Sequence, residues 1–213
     1  MALGLNTEAA SGEFNAIVKY DSRAGRMFRV DREQSSSGSW ETENVEITDS
    51  FQAIFNLPEI EVGWALFAAG VAPSFVMVKL GEALPPKPGD TFKQTFRLNI
   101  KLGKSCGGDV REFASQAKVC IHALDALHTA YEAARDANPG KLPVVALKGS
   151  TPVVSSGKQG SSTNYMPTFE IVAWAPTPPE FGGSVGSVKG ETLPKTTPAT
   201  APKKAPAPVE SEF

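Results

Sequence analysis

The 213-residue sequence predicts a mainly β domain with one long helix and a C-terminal segment that stays disordered. Three observations carry this. The first is Thr91–Leu102, TFKQTFRLNIKL, where Phe92, Phe96, Leu98, Ile100 and Leu102 alternate with Thr91, Lys93, Thr95, Arg97, Asn99 and Lys101. Side chains alternate across a strand, so one face is core and the other is a row with three cations and no acid. The second is a run of short apolar segments between Val45 and Leu80, punctuated by Pro58, Gly63, Gly70 and Pro73, which favours strands over helices. The third is a helical repeat of Phe113, Ala117, Cys120 or Ile121, Leu124, Leu127 or His128, and Tyr131.

Taken in order, residues 1–12 show no period and read as a flexible arm. Phe14–Tyr20 and Arg26–Asp31 form a predicted hairpin whose DSRAG link supplies turn residues. Its arginines, Arg23, Arg26, Arg29 and Arg32, recur every third position and so divide between two faces. After the mobile loop QSSSGS, Trp40 is either a lid over the core or a ring offered to a ligand. The segments VEIT, FQAIFNL, EVGWALF and SFVMVKL follow as strands, and WALFAAGVA is open to a helical turn. LPPKPGD then makes a stiff polyproline-like link into Thr91–Leu102.

GKSCGGD follows, but it is not a phosphate loop. The Walker spacing needs a glycine five residues before Gly103, where Leu98 stands. The stretch is read as a hinge into a helix of roughly 28 residues, capped by Asp109 and stopped at Asn138-Pro139-Gly140. On that helix Cys120 and His122 point about 200° apart, which argues against a metal site with His128. Pro143–Gly149 and Tyr165–Trp174 read as the last strands, separated by STPVVSSGKQGSSTN, partly strand-like and then a long Ser/Gly loop. Past Ala175, eight of the seventeen prolines fall in the last 38 residues with almost no large apolar side chain. Such a tail cannot offset its ordering entropy, so the expected organisation is an arm (1–12), one domain (13–175) and a tail (176–213).

Composition narrows the function classes. A formal net charge of -2 is wrong for a protein that coats duplex DNA generally. The charge is nevertheless segregated. From Glu33 to Glu61 there are seven acids and no Lys or Arg, whereas Lys79, Lys87, Lys93, Arg97, Lys101 and Lys104 face only Glu82 and Asp90 in the next stretch. Two cysteines make no disulfide framework, and no window is apolar enough for a membrane span. No G-x-S-x-G, H-E-x-x-H or C-x-x-C occurs, so neither catalysis nor a cofactor or metal is expected.

Several strands, a helix and two more strands is the order of an OB-fold, a small Greek-key barrel, with Thr91–Leu102 as its third strand. Strands two and three of that barrel form its oligonucleotide face. Binding single strands wants cations for phosphates and rings for bases. Lys93, Arg97 and Lys101, with Lys79, Lys104 and Lys148, are the candidate cations; Trp64, Phe75 and Trp40 are the candidate rings.

The run PVVALKGSTPVV, with TNYMPTFEIVAWAP after it, resembles the C-terminal strands of single-stranded DNA-binding proteins of tailed bacteriophages. The likeness covers mainly Pro143–Pro176 and more loosely Val45–Ala134. It implies an OB-fold replication protein of a bacterial host's cytoplasm that protects unwound DNA and recruits partner proteins through a tail ending in acids and Phe. Glu210, Glu212 and Phe213 match that ending, although the tip has only two acids and Lys189, Lys195, Lys203 and Lys204 precede it. Single-stranded DNA and replication proteins are therefore the expected partners, with self-association left open. The competing expectation, from the Ser/Gly loops and Pro/Thr tail, is a virion or surface β-domain with a structural or interaction role.

Overall fold

The computed structural model describes residues 16–34, 38–68, 73–157 and 160–181. The expected N-terminal arm and nearly all of the expected tail lie outside these residues. Ten strands form one open, mixed sheet. In chain order they are β1 (Ile17–Asp21), β2 (Arg26–Gln34), β3 (Trp40–Glu46), β4 (Gln52–Phe55), β5 (Glu61–Leu66), β6 (Ser74–Lys79), β7 (Lys93–Leu102), β8 (Val110–Ser115), β9 (Lys141–Gly157) and β10 (Gly160–Pro176). The one α-helix among the described residues, α1, spans Lys118–Ala134. Across the sheet the order is β10-β9-β4-β7-β8-β1-β2-β3, with the β5–β6 hairpin joined through β5 to β7. Among the described residues, only β1 and β8 pair in parallel.

The predicted strand Thr91–Leu102 is β7, and it is the hub. Along one edge it pairs with β8; the other is shared, Lys93–Arg97 pairing with β5 and Ile100–Leu102 with β4. Its apolar row, Phe96, Leu98, Ile100 and Leu102, is buried as the alternation requires. The first hairpin also forms as read, with Asp21 opposite Arg26. Asp21 Oδ1 accepts the Arg23 and Ala24 amides, and this is what an aspartate at the head of a turn contributes.

Two expectations are corrected. The helix does not begin after Asp109: Val110–Ser115 is strand β8, and α1 begins at Lys118 with Ala117, not Asp109, as its N-cap. GKSCGGD is thus a hairpin turn, where Gly107 adopts φ 128°, a backbone state that L side chains rarely reach. Phe113, Ala117 and Ile121 fall four apart and imitate a helical stripe. Pairing decides otherwise, because β8 is gripped by β7 on one side and β1 on the other. From Lys118 the helical pattern holds, burying Val119, Cys120, Ala123, Leu124, Leu127 and Tyr131. Cys120 is buried while His122 is exposed, as their spacing requires.

The second correction concerns the Ser/Gly stretch. Apart from residues 158–159, which lie outside the described residues, it is not a loop but the outer half of the β9–β10 hairpin, an arm of paired and largely exposed residues. Serine and threonine suit it because their hydroxyls bond across the strands, as Ser155 and Ser162 do at 3.0 Å. Pro152, opposite Tyr165, is tolerated because this is a pair whose N–H groups point outward. The Tyr165 N–H donates outward to the Ser22 carbonyl at 2.6 Å, so the missing proline N–H costs the ladder nothing.

The core lies between the inner face of the sheet and α1. Phe113 is fully buried and meets Phe55, Phe96 and Phe169 edge to face, with centroids 5.2–6.3 Å apart. Tyr131 stacks on Trp174, fixing α1 to β10. Among the described residues, no helix is long and apolar enough to cross a membrane.

Candidate nucleic-acid interface

Strand register decides which candidate residues share a face. Glu61 lies opposite Arg97, Gly63 opposite Thr95 and Ala65 opposite Lys93, while β6 sets Lys79, Met77 and Phe75 against the same three β5 residues. Lys93, Arg97 and Lys101 of β7 therefore share an outer surface with Phe75 and Lys79 of β6. Gly63 makes this possible. A Cβ there would collide with the Val76 carbonyl oxygen, so only glycine lets β6 approach so closely.

Arg97 is the centre. Its Nε and Nη2 donate to Glu61 Oε2 at 2.7 and 2.6 Å, and its guanidinium carbon sits 5.1 Å from the centroid of the Phe75 ring. Glu112, from β8, is 4.0 Å from Nη1. Phe75 is thus a support for Arg97 on one side, and Phe67 meets its ring edge to face at 5.6 Å. Phe67 is 45% exposed, the ring on this surface most open to solvent. It was missed from the sequence, although counting Glu61, Gly63, Ala65, Phe67 along the strand puts it on the Arg97 face.

The remaining cations spread from this centre. Lys93 is exposed beside Arg97's strand neighbours, and Lys104 is exposed in the turn after β7; among the described residues neither has a carboxylate within 4 Å. Lys101 pairs with Glu180 at 2.5 Å, Lys79 with Glu59 at 2.6 Å, and Lys148, across β4 on β9, with Glu170 at 3.9 Å. The pairing hydrogen bond holds the Lys79 ammonium above its usual range, and the bond from Lys101 holds the Glu180 carboxyl below the usual carboxylate range. Glu180 belongs to a 3-10 turn, Pro179–Phe181, so the described chain continues past the expected boundary at 175 and lies against β7.

Trp64 is not part of this face. It alternates with Gly63 and Ala65, pairs with Gln94 and Val76, and donates its indole N–H to the Pro85 carbonyl at 2.9 Å. The ring is held by the proline-rich link. The Trp40 side chain, and Glu210, Glu212 and Phe213, lie outside the described residues.

The basic row also differs in character from its sequence. Thr95 is buried, donating to the Ser115 carbonyl, and neighbouring strands insert Glu61 and Glu112 where β7 alone has no acid. The surface combines rings, cations and resident carboxylates. Among the described residues, no three His, Cys, Asp or Glu side chains cluster as a metal site. No family model, curated protein or solved structure matches the chain.

Proposed function

We propose that this protein binds single-stranded DNA without catalysis, protecting unwound strands in phage replication, recombination or repair in the bacterial cytoplasm. The observation that carries this reading is Phe67, Phe75, Lys93 and Arg97 on one outward face, aromatic rings beside cations at the spacing of a strand pair. Bases stack on Phe67 and on the Arg97 plane. Phosphates engage Lys93 and Arg97, with Lys79, Lys101 and Lys104 along the flanks. The tip Glu210, Glu212 and Phe213 recruits replication proteins, and the phage setting rests on the resemblance of Pro143–Pro176. An OB-like barrel is consistent with a long β7 whose edge is divided between two partner strands and with a helix entering before the last hairpin.

Titrating a labelled oligothymidine and following anisotropy tests it. Micromolar or tighter binding that weakens steeply with salt is expected; equal affinity for duplex, or none for either, refutes it. One observation favours a structural or interaction domain instead: the exposed β9–β10 arm has no charged side chain from Ser150 to Ser156 or Gly160 to Asn164. Recovery of the protein in purified particles, with oligothymidine binding unaffected by Lys93→Ala and Arg97→Ala, supports that reading.

A further inference from the structure

We propose that Glu61 occupies the phosphate position on Arg97 and so acts as a built-in competitor that lowers the affinity of any strand laid there; this rests on the single-strand reading above. Glu61 Oε2 takes both the Nε and Nη2 hydrogens, the edge of the guanidinium that otherwise receives a phosphate oxygen. The carboxylate is held from below by strand pairing, since Glu61 and Arg97 are directly opposite across β5 and β7. It is also only partly screened, with side-chain exposures of 31% for Glu61 and 26% for Arg97. A phosphate can reach Arg97 only by turning Glu61 aside. Meanwhile Phe75 keeps the guanidinium in place through its ring face, so the arginine does not follow the departing carboxylate.

A duplex offers phosphates but keeps its bases stacked on each other, so it gains nothing from Phe67. A single strand brings free bases to that ring, and this stacking offsets the cost of displacing Glu61. Glu61 therefore penalises both ligands alike, and the preference for single strands comes from Phe67. The salt response is affected too. Where an internal carboxylate neutralises Arg97, phosphate binding expels that carboxylate and no solution ion is released at this position.

Glu61→Gln separates this role from a structural one. Gln keeps the length and the hydrogen-bond acceptor but lacks the charge. Oligothymidine and duplex affinity are each expected to rise several-fold and by the same factor, and the slope of log affinity against log salt to steepen by about 0.7 for the single strand. Glu46→Gln, which frees Arg26 on the distant β2–β3 ribbon, changes net charge equally and is expected to leave affinity and slope unchanged. Should Glu61→Gln fail to melt cooperatively, Glu61→Asp keeps the charge and withdraws it by one methylene, with a smaller rise in affinity expected. Wild-type protein that does not distinguish oligothymidine from duplex refutes the single-strand reading itself. Wild-type protein that does distinguish them, with Glu61 variants of unchanged affinity and salt slope, overturns the role of Glu61 alone.

Discussion

Arg97 and Arg111 lie on adjacent strands, each between two carboxylates, and they differ in how far the fold encloses them. Arg111 is 8% exposed on the inner face. Its Nη2 meets Asp31 at 2.6 Å and Asp109 at 2.8 Å, its Nη1 donates to the Val30 carbonyl, and Arg29 completes the cluster on Asp31. Four charges cancel there at one end of the core, with Asp109 reaching toward solvent. Arg97 has a comparable ion pair but faces outward, beside an exposed ring and Lys93, which among the described residues has no carboxylate within 4 Å. In the first arrangement the Arg111 guanidinium is taken up by internal partners, although Asp109 Oδ1 keeps none, whereas Arg97 lies closer to solvent.

The largest test of that contrast is removal of each arginine. Arg111→Ala leaves Asp31 and Asp109 without their shared cation and is expected to cost about 3–5 kcal/mol in urea unfolding. Arg97→Ala should cost no more than about 1 kcal/mol by the same measurement, because its pair is open to water. Equal losses would mean that both clusters are structural. Binding is expected to divide the other way: Phe67→Ala and Arg97→Ala each weaken oligothymidine by about 1–3 kcal/mol, and Phe67→Ala leaves the unfolding midpoint in place.

Acid provides a smaller test of the inner cluster. Burial pushes the Asp31 carboxyl up, but hydrogen bonds from Arg29 and Arg111 outweigh it and hold the pKa below its ordinary value. A depressed folded pKa gives stability that is complete above the unfolded value, near 4, and is lost as pH falls through the folded one. Chemical denaturation from pH 6 to pH 2 should therefore show a loss beginning only below about pH 4. In Asp31→Asn that part of the acid dependence should disappear, and an unchanged profile would assign the acid loss to other carboxylates.

What the sequence made legible follows from the range of each signal. Alternation is local, so β7, the first hairpin and the buried row Phe96–Leu102 could be read directly. The acids facing Arg97 could not be. Glu61 and Glu59 end the acid-rich stretch, and folding returns them to Arg97 and Lys79 of the basic one, so charge segregated along the chain is neutralised in space. Val110–Ser115 was misread because β7 and β1, not local propensity, hold it extended, and the serine-rich arm because its two halves pair with each other. Trp64 looked like Phe75 in composition; only parity and the Pro85 hydrogen bond remove it from the face.

The smallest expected effect marks where the binding surface ends. Lys148 stands on β9, separated from β7 by β4, and its only carboxylate neighbour in the described structure is Glu170 at 3.9 Å. A half-exposed pair at that distance contributes little to stability, so Lys148→Ala should shift unfolding by less than about 0.5 kcal/mol. For binding, the path of the strand decides. A strand that stacks on Phe67 and follows Lys93 and Arg97 runs along β5–β7 and does not cross β4. Lys148→Ala should then change oligothymidine affinity less than about twofold and leave the salt slope intact. A slope lower by about 0.7 would mean that Lys148 neutralises one phosphate in the wild-type complex, and would extend the track across β4 onto the base of the β9–β10 arm.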